Sequence, residues 1–261
     1  MSLHEYHRPT NREATSALLR RAEVTTLPIY LGPRPTALHE RNWDSAVDLS
    51  RLGIDFIKED ADGRIRIGSL ASLQDIVTAP HLQEYAGGLL PCAARVAAGL
   101  GLRNAANLGG VLTTTLGAPE LRLALLVLEA ETVSAEGFIT EVILPAQNLV
   151  TSLERVARTP MDEAIVAVAV GLQLGDGIIA QARLAVSGIG NYPMRVEAAE
   201  SMLTSQVLTS KLTDAIATAT LHAADPAYHD YRGSAEYRRE MASVLTRRAL
   251  ETAWRQQEGN E

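Results

Sequence analysis

The sequence predicts an α+β protein in which antiparallel strand pairs sit among helices, and three observations carry that expectation. Asp62-Gly63, Glu136-Gly137 and Gly175-Asp176-Gly177 each stand between two apolar, alternating runs, the pattern of tight hairpins. Long helical patterns close the chain. Near its start, a helix, a strand and a glycine in that order suggest a small α/β unit. With 261 residues, 46% of them hydrophobic, the chain can fill the core of one large domain or of two ordinary ones.

Thr10-Asn-Arg-Glu13 reads as a capping box for a helix over residues 11–23, with Ala14, Ala17, Leu18 and Arg21 at helical spacing. Pro28-Ile-Tyr-Leu31 is an apolar run that ends at Gly32, as a buried strand ends in a glycine turn. Strands at 54–58 and 64–68 flank Asp62-Gly63, and Ser72 with Asp75 caps a helix across 73–79. An Ala- and Leu-rich core helix runs from Leu89 to Leu100 and is ended by Gly99 and Gly101. Pro119 suits the first turn of an apolar helix from Glu120 to Ala130. The next hairpin joins Thr132–Ala135 to Phe138–Leu144, and residues 146–160 form a connection after which a second domain begins near residue 151. Ala164–Leu174 and Ile178–Val186 alternate around the third turn, followed by helices at Met194–Leu203, Leu208–Ala224 and Ser234–Trp254, the last capped by Ser234. A three-strand-or-so antiparallel sheet backed by helices is the layer arrangement this implies.

Composition removes several function classes. A net charge of −7 with scattered basic pairs argues against a nucleic-acid partner. No run approaches the ~20 apolar residues of a membrane span, and the opening Met-Ser-Leu-His-Glu-Tyr-His-Arg-Pro lacks signal-peptide order. A cytoplasmic protein is expected. Cys92 is the only cysteine, so an internal disulfide, a cysteine-held iron–sulfur cluster and a cysteine zinc site all fall away. Cys92 itself reads as a small buried hydrophobe. The six histidines form no H-x-x-x-H pair and there is no G-x-S-x-G elbow, so the sequence assigns neither a metal ligand nor a catalytic acid, base or nucleophile. His222 and His229, beside Asp225 and Asp230, read as a solvated loop. With only 4% aromatic residues, a ring-shaped ligand would be held mostly by backbone and aliphatic groups.

The most informative stretch is 102–121, where Gly109-Gly110, three threonines (Thr113, Thr114, Thr115) and Glu120 lie between two apolar segments. Two missing β-carbons let a planar ligand or another backbone approach, hydroxyls lie beside them, and Glu120 can accept from a ribose or a ring N–H. A tight turn before a helix is the competing reading of the glycine pair.

This stretch resembles the second flavin segment, R-N-x-x-T-x-G-G-N, of the FAD-binding medium subunits of molybdenum hydroxylases such as xanthine and carbon monoxide dehydrogenases. Other motifs follow in the family's order: Tyr6-His-Arg-Pro-Thr10 with Glu13-Ala14, Ala46-Val-Asp-Leu-Ser-Arg-Leu52, Arg66-Ile-Gly-Ser-Leu70, and Asp230-Tyr-Arg-Gly-Ser-Ala-Glu-Tyr-Arg238 before Val244-Leu-Thr-Arg-Arg-Ala-Leu250. The resemblance implies a two-subdomain FAD-binding (PCMH-type) domain over residues 1–150, with a break near residue 53. After it, at 151–261, comes a C-terminal domain like that of CO dehydrogenase flavoproteins, an antiparallel sheet packed with helices. It further implies FAD as cofactor, electron relay from an iron–sulfur small subunit beside a molybdenum large subunit, and leaves room for a homodimer.

Carried over by position, the cofactor residues are Gly32, Arg34 and Thr36 in the first segment and Ala106, Asn107, Gly109, Gly110, Thr114 and Glu120 in the second. The first segment departs from the family's A-G-G-T-[DS]. Pro33 and Pro35 lack N–H groups, and an anion nest is built from such donors. Val111 stands at the asparagine of G-G-N, Asn107 at a threonine, and the chain crosses from Val133 to Thr140 in fewer residues than the family. These departures keep open a second reading, a homologue that has lost FAD and serves as a structural or assembly subunit. Arg232, Glu236, Tyr237 and Arg238 are read as helix-capping and interdomain salt-bridge residues.

Overall fold

A computed structural model describes residues 3–30, 43–114, 117–135 and 137–258. In chain order the first elements are β1 (Glu5–His7), α1 (Arg12–Leu19), β2 (Thr26–Ile29), β3 (Ser45–Asp48), β4 (Ile57–Glu59), β5 (Ile65–Gly68) and α2 (Leu73–Thr78). Helices α3 (Pro80–Glu84), α4 (Leu89–Ala97), α5 (Leu100–Ala105), α6 (Leu108–Thr113) and α7 (Pro119–Val127) follow. Then come β6 (Glu131–Ala135), β7 (Phe138–Leu144), β8 (Val150–Val156), β9 (Val166–Gly175), β10 (Ile178–Ser187) and β11 (Met194–Arg195). Three helices close the chain: α8 (Glu197–Leu203), α9 (Ser210–Ala223) and α10 (Ala235–Glu258). They build two compact units, one from residues 1–76, 98–117 and 130–146, the other from 77–97, 118–129 and 147–261.

The first unit holds two sheets. Strands β1, β3 and β2 lie parallel in that order, and β4, β5, β7 and β6 form an antiparallel sheet in that order. Tyr30, Val47, Leu49, Ile54 and Phe138 make a buried apolar cluster on which Leu18, Leu19 and Ile139 pack. The sequence pattern reveals neither β1 nor β3, because three or four residues show too little alternation to register. Asn11, not Thr10, caps α1, its side chain accepting from the Ala14 amide at 2.8 Å, and the helix stops at Leu19 rather than residue 23. The strand expected at 28–31 lies at Thr26–Ile29, and Leu31 and Gly32 fall outside the described residues. Both expected hairpins of this unit form, although Glu136 of the second turn is also outside the described residues. The Ser72–Asp75 box forms in both directions, at 3.0 and 3.1 Å.

The second unit is layered about an antiparallel sheet in the order β11-β10-β9-β8. Its central strand β9 reads Val-Ala-Val-Ala-Val-Gly-Leu over residues 166–172, every residue buried. Because strand side chains alternate faces, the larger residues Val166, Val168, Val170 and Leu172 point one way, into an apolar cluster with Leu203, Ile216, Leu245 and Leu250 of α8, α9 and α10. Gly171 points the other way, where a β-carbon would come within 2.7 Å of Val127 in α7. Small residues on that face thus let α7 close on the sheet, and α4 packs in turn on α7 and β8.

Several expectations need correction here. Residues 150–156, read as connection, are the edge strand β8. Met194 and Arg195 pair with Val186 and Ala185, so the helix expected from Met194 begins only at Glu197. Gly99 is extended and opens α5 rather than ending a helix, and Gly101 lies inside α5. Cys92 is exposed on α4, not buried. The helices expected at Leu208–Ala224 and Ser234–Trp254 form at Ser210–Ala223 and Ala235–Glu258, with Thr209 and Ser234 accepting from the amides of Leu212 and Tyr237.

Candidate functional site

Among the described residues, the glycine turn comprises the end of α5, the extended Ala106 and Asn107, and the short helix α6. Asn107 is extended and only 8% exposed, and its Oδ1 accepts from the Gly110 amide at 2.9 Å. It is therefore an N-cap, which accounts for an amide side chain doing the work of a threonine at that position. The segment from Ser69 to Leu73 runs alongside. Leu73 donates to the Ala106 carbonyl (2.9 Å), Leu108 to that of Ala71 (3.1 Å), and Gly109 to that of Ser69 (2.7 Å). Consequently the amides of Leu108, Gly109 and Gly110 all have partners inside the protein.

Gly109 has a local reason to be glycine. A β-carbon there would come within 2.5 Å of Cε1 in the Tyr30 ring and 3.0 Å of the Ser69 carbonyl oxygen. Tyr30 is 4% exposed, and its hydroxyl donates to the Ile139 carbonyl at 2.8 Å. Burial pushes this phenol well above the usual tyrosine range. One helical turn on, the hydroxyls of Thr113 and Thr114 donate to the carbonyls of Gly109 and Gly110, each at 2.8 Å. Thr113 is exposed, so its oxygen keeps acceptor capacity toward an incoming O–H or N–H.

Gly32, Arg34 and Thr36 fall outside the described residues. Glu120 belongs to the second unit, in the first turn of α7, 1% exposed, with Oε1 accepting from Arg155 Nε at 2.8 Å. Arg155 also donates to the carbonyls of Pro160 (2.9 Å) and Asp162. Burial raises the Glu120 pKa despite the opposing hydrogen bonds and the Arg155 charge. Sequence reasoning did not find Tyr30, Ser69 or Arg155, whose roles depend on contacts between residues 35 to 109 positions apart. Arg232 and Arg238 make their ion pairs with Asp230 and Glu163 inside the second unit. No cluster of metal-ligating side chains occurs among the described residues, and no helix among them is long and apolar enough to cross a membrane.

FAD carries a diphosphate, which needs donors, and ribityl and ring groups, which both donate and accept. The described turn offers the second kind of contact through the exposed Thr113 oxygen, since Tyr30 and the Ser69 carbonyl already occupy the space left by the missing β-carbon of Gly109. It does not supply diphosphate donors from Leu108, Gly109 or Gly110. Replacing Asn107 by alanine is expected to cost about 1 kcal/mol through the lost cap, whereas threonine should hold the loss to a few tenths. Thermal unfolding of the three proteins measures this difference.

Family models match most of the chain: the FAD binding domain in molybdopterin dehydrogenase over residues 4–171, and the CO dehydrogenase flavoprotein C-terminal domain over residues 151–253. The glyceraldehyde dehydrogenase medium chain of Sulfolobus acidocaldarius is 25% identical over 233 residues, 79% of this chain and 82% of that protein. The carbon monoxide dehydrogenase medium chain of Hydrogenophaga pseudoflava is 27% identical over 235 residues, 80% of this chain and 81% of that protein. A chain of the solved carbon monoxide dehydrogenase from Hydrogenophaga pseudoflava shares the fold, with a TM-score of 0.86 at 24% identity, covering 97% of this chain and 98% of that one. Motif order, fold and family match thus agree: the chain belongs to the FAD-binding domain family of molybdopterin dehydrogenases, as a flavoprotein-type subunit with a CO dehydrogenase flavoprotein C-terminal domain, and FAD is the cofactor of that family.

Proposed function

We propose that this chain binds FAD and relays electrons from an iron–sulfur small subunit to an acceptor, beside a molybdenum large subunit that oxidises the substrate. Bound FAD supplies the redox chemistry, and the protein supplies position and environment. The observation that supports this reading is the glycine turn, whose sequence resembles the family's second flavin segment and which forms a capped bend with Gly109 and Gly110 buried. In this reading residues 1–150 form the FAD-binding domain and residues 151–261 the C-terminal domain. Gly32, Arg34, Thr36, Ala106, Asn107, Gly109, Gly110, Thr114 and Glu120 serve the cofactor. Asn107 shapes the bend, Gly109 keeps it open to Tyr30, and Glu120 anchors the start of α7 through Arg155.

One observation favours a second reading, a homologue without FAD that acts in structure or assembly: the turn's amide donors are already engaged within the protein. Native mass measurement of the chain co-expressed with its encoded neighbours separates the two. Companion subunits together with one FAD mass per copy support electron relay. Companion subunits without FAD support the assembly role, and the chain alone without FAD contradicts both.

A further inference from the structure

We infer that Tyr30 is a positioning residue for the cofactor, holding the α6 turn at a fixed height and so setting FAD affinity without touching FAD. This rests on the flavoprotein reading above. Four contacts, joined through the peptide bond between Ile139 and Thr140, close a ring in the first unit. The Tyr30 hydroxyl bonds the Ile139 carbonyl at 2.8 Å. The next residue on β7, Thr140, accepts from the Ser69 amide at 2.9 Å. Ser69 in turn accepts from Gly109 at 2.7 Å, and Gly109 presents its bare α-carbon to the Tyr30 ring. Any shift of the turn must stretch one of these hydrogen bonds or compress the ring contact.

The consequence reaches the polar side chains of the turn. Thr113 and Thr114 are tied to the carbonyls of Gly109 and Gly110, so both hydroxyls move with the glycine pair. Displacements of about 1 Å in a positioned group are enough to alter binding and rate strongly. Tyr30, 109 residues from Ile139 in sequence, therefore transmits the position of β7 to the turn.

The test titrates full-length wild type, Tyr30→Phe, Gly109→Ala and the double variant Tyr30→Leu with Gly109→Ala, following FAD by its fluorescence, with the Tm of the FAD-free protein read in parallel. Tyr30→Phe keeps the ring and loses the bond to Ile139, and is expected to weaken FAD about 5-fold. Gly109→Ala should weaken it ~10-fold or more. The double variant, which trades ring volume for the added methyl but also lacks the bond to Ile139, should bind more tightly than Gly109→Ala and no more tightly than Tyr30→Phe. If Gly109→Ala does not fold, Tyr30→Phe decides. Wild-type affinity in folded Tyr30→Phe, with only Tm lowered, overturns the inference, since Tyr30 is then a core residue and nothing more. A stable double variant that binds as weakly as Gly109→Ala also overturns it, because Gly109 then meets FAD directly. Failure of wild type to bind FAD defeats the flavoprotein reading itself, and is seen before any variant is made.

Discussion

Replacing Arg238 by leucine is expected to destabilise the second unit by about 3–5 kcal/mol, lowering Tm by roughly 10 °C in thermal unfolding. Arg238 is 1% exposed. Its guanidinium donates to the carbonyls of Ile165 (2.5 Å), Gly188 (2.9 Å) and Gly233 (3.2 Å) and to the carboxylate of Asp230, and it lies 5.3 Å from the Tyr228 ring centroid. Leucine would fill part of the volume and leave buried acceptors without donors, which costs more than the interaction itself gains. Lysine should be nearly as harmful, because one compact ammonium cannot serve four acceptors in these directions.

The same cluster carries a pH signature. Burial works to raise the Asp230 pKa, but hydrogen bonds from the Arg232 backbone and guanidinium and from Arg238 outweigh it and hold the carboxyl at about 2. A carboxyl whose folded pKa lies below its unfolded value stabilises the fold above the unfolded pKa and loses that contribution as pH falls through the folded one. The gap in Tm between wild type and Arg238→Leu should therefore narrow as pH is lowered from about 4 to 2. A gap that stays constant over that window would assign the loss to packing and the three carbonyl bonds rather than to the Asp230 pair.

The second large effect is expected at Gly188, the carbonyl partner of Arg238. Its φ is +80°, in the left-handed region, and a β-carbon would sit 2.9 Å from the Ile165 carbonyl carbon and closer still to its oxygen. Gly188→Ala must then pay for backbone strain and displace a carbonyl that Arg238 itself binds, for a combined loss of about 3 kcal/mol. Since both residues serve one cluster, Gly188→Ala and Arg238→Leu together should cost measurably less than the sum of the two, as a double-mutant cycle in denaturant would show. Strict additivity would place Gly188 outside the Arg238 network.

What the sequence made legible follows from range. Turn pairs such as Asp62-Gly63 and Asp176-Gly177, the Ser72–Asp75 box and the Ser234 cap act within four residues, and each forms where expected. β8 escaped notice because Pro145, Asn148 and Pro160 nearby look like a connection, while the strand between them is defined by its pairing to β9. The Val-Ala-Val-Ala-Val-Gly-Leu run of β9 did announce a strand, and its alternation of large and small residues also encodes a helix-covered face on each side. Helix α5 was missed because Gly99 and Gly101 read as terminators, although Gly99 only opens the helix.

The site divides in the same way. Asn107 as a cap is a local matter, confined to the four residues from Asn107 to Gly110. The demand for glycine at 109 comes from Tyr30, and the pairing of Glu120 comes from Arg155, so neither can be inferred from spacing. The Asp230–Arg238 motif, the most specific match in sequence, forms a buried arginine cluster that ties α10 to Ile165, just before β9, and to Gly188, just after β10.

FAD titration of the purified full-length chain, stripped of endogenous flavin and shown folded by circular dichroism, tests the central claim most directly. Saturable quenching of flavin fluorescence at one FAD per chain is the predicted result. A folded chain that leaves FAD fluorescence unchanged at saturating cofactor would contradict the account and leave the glycine turn as structure alone.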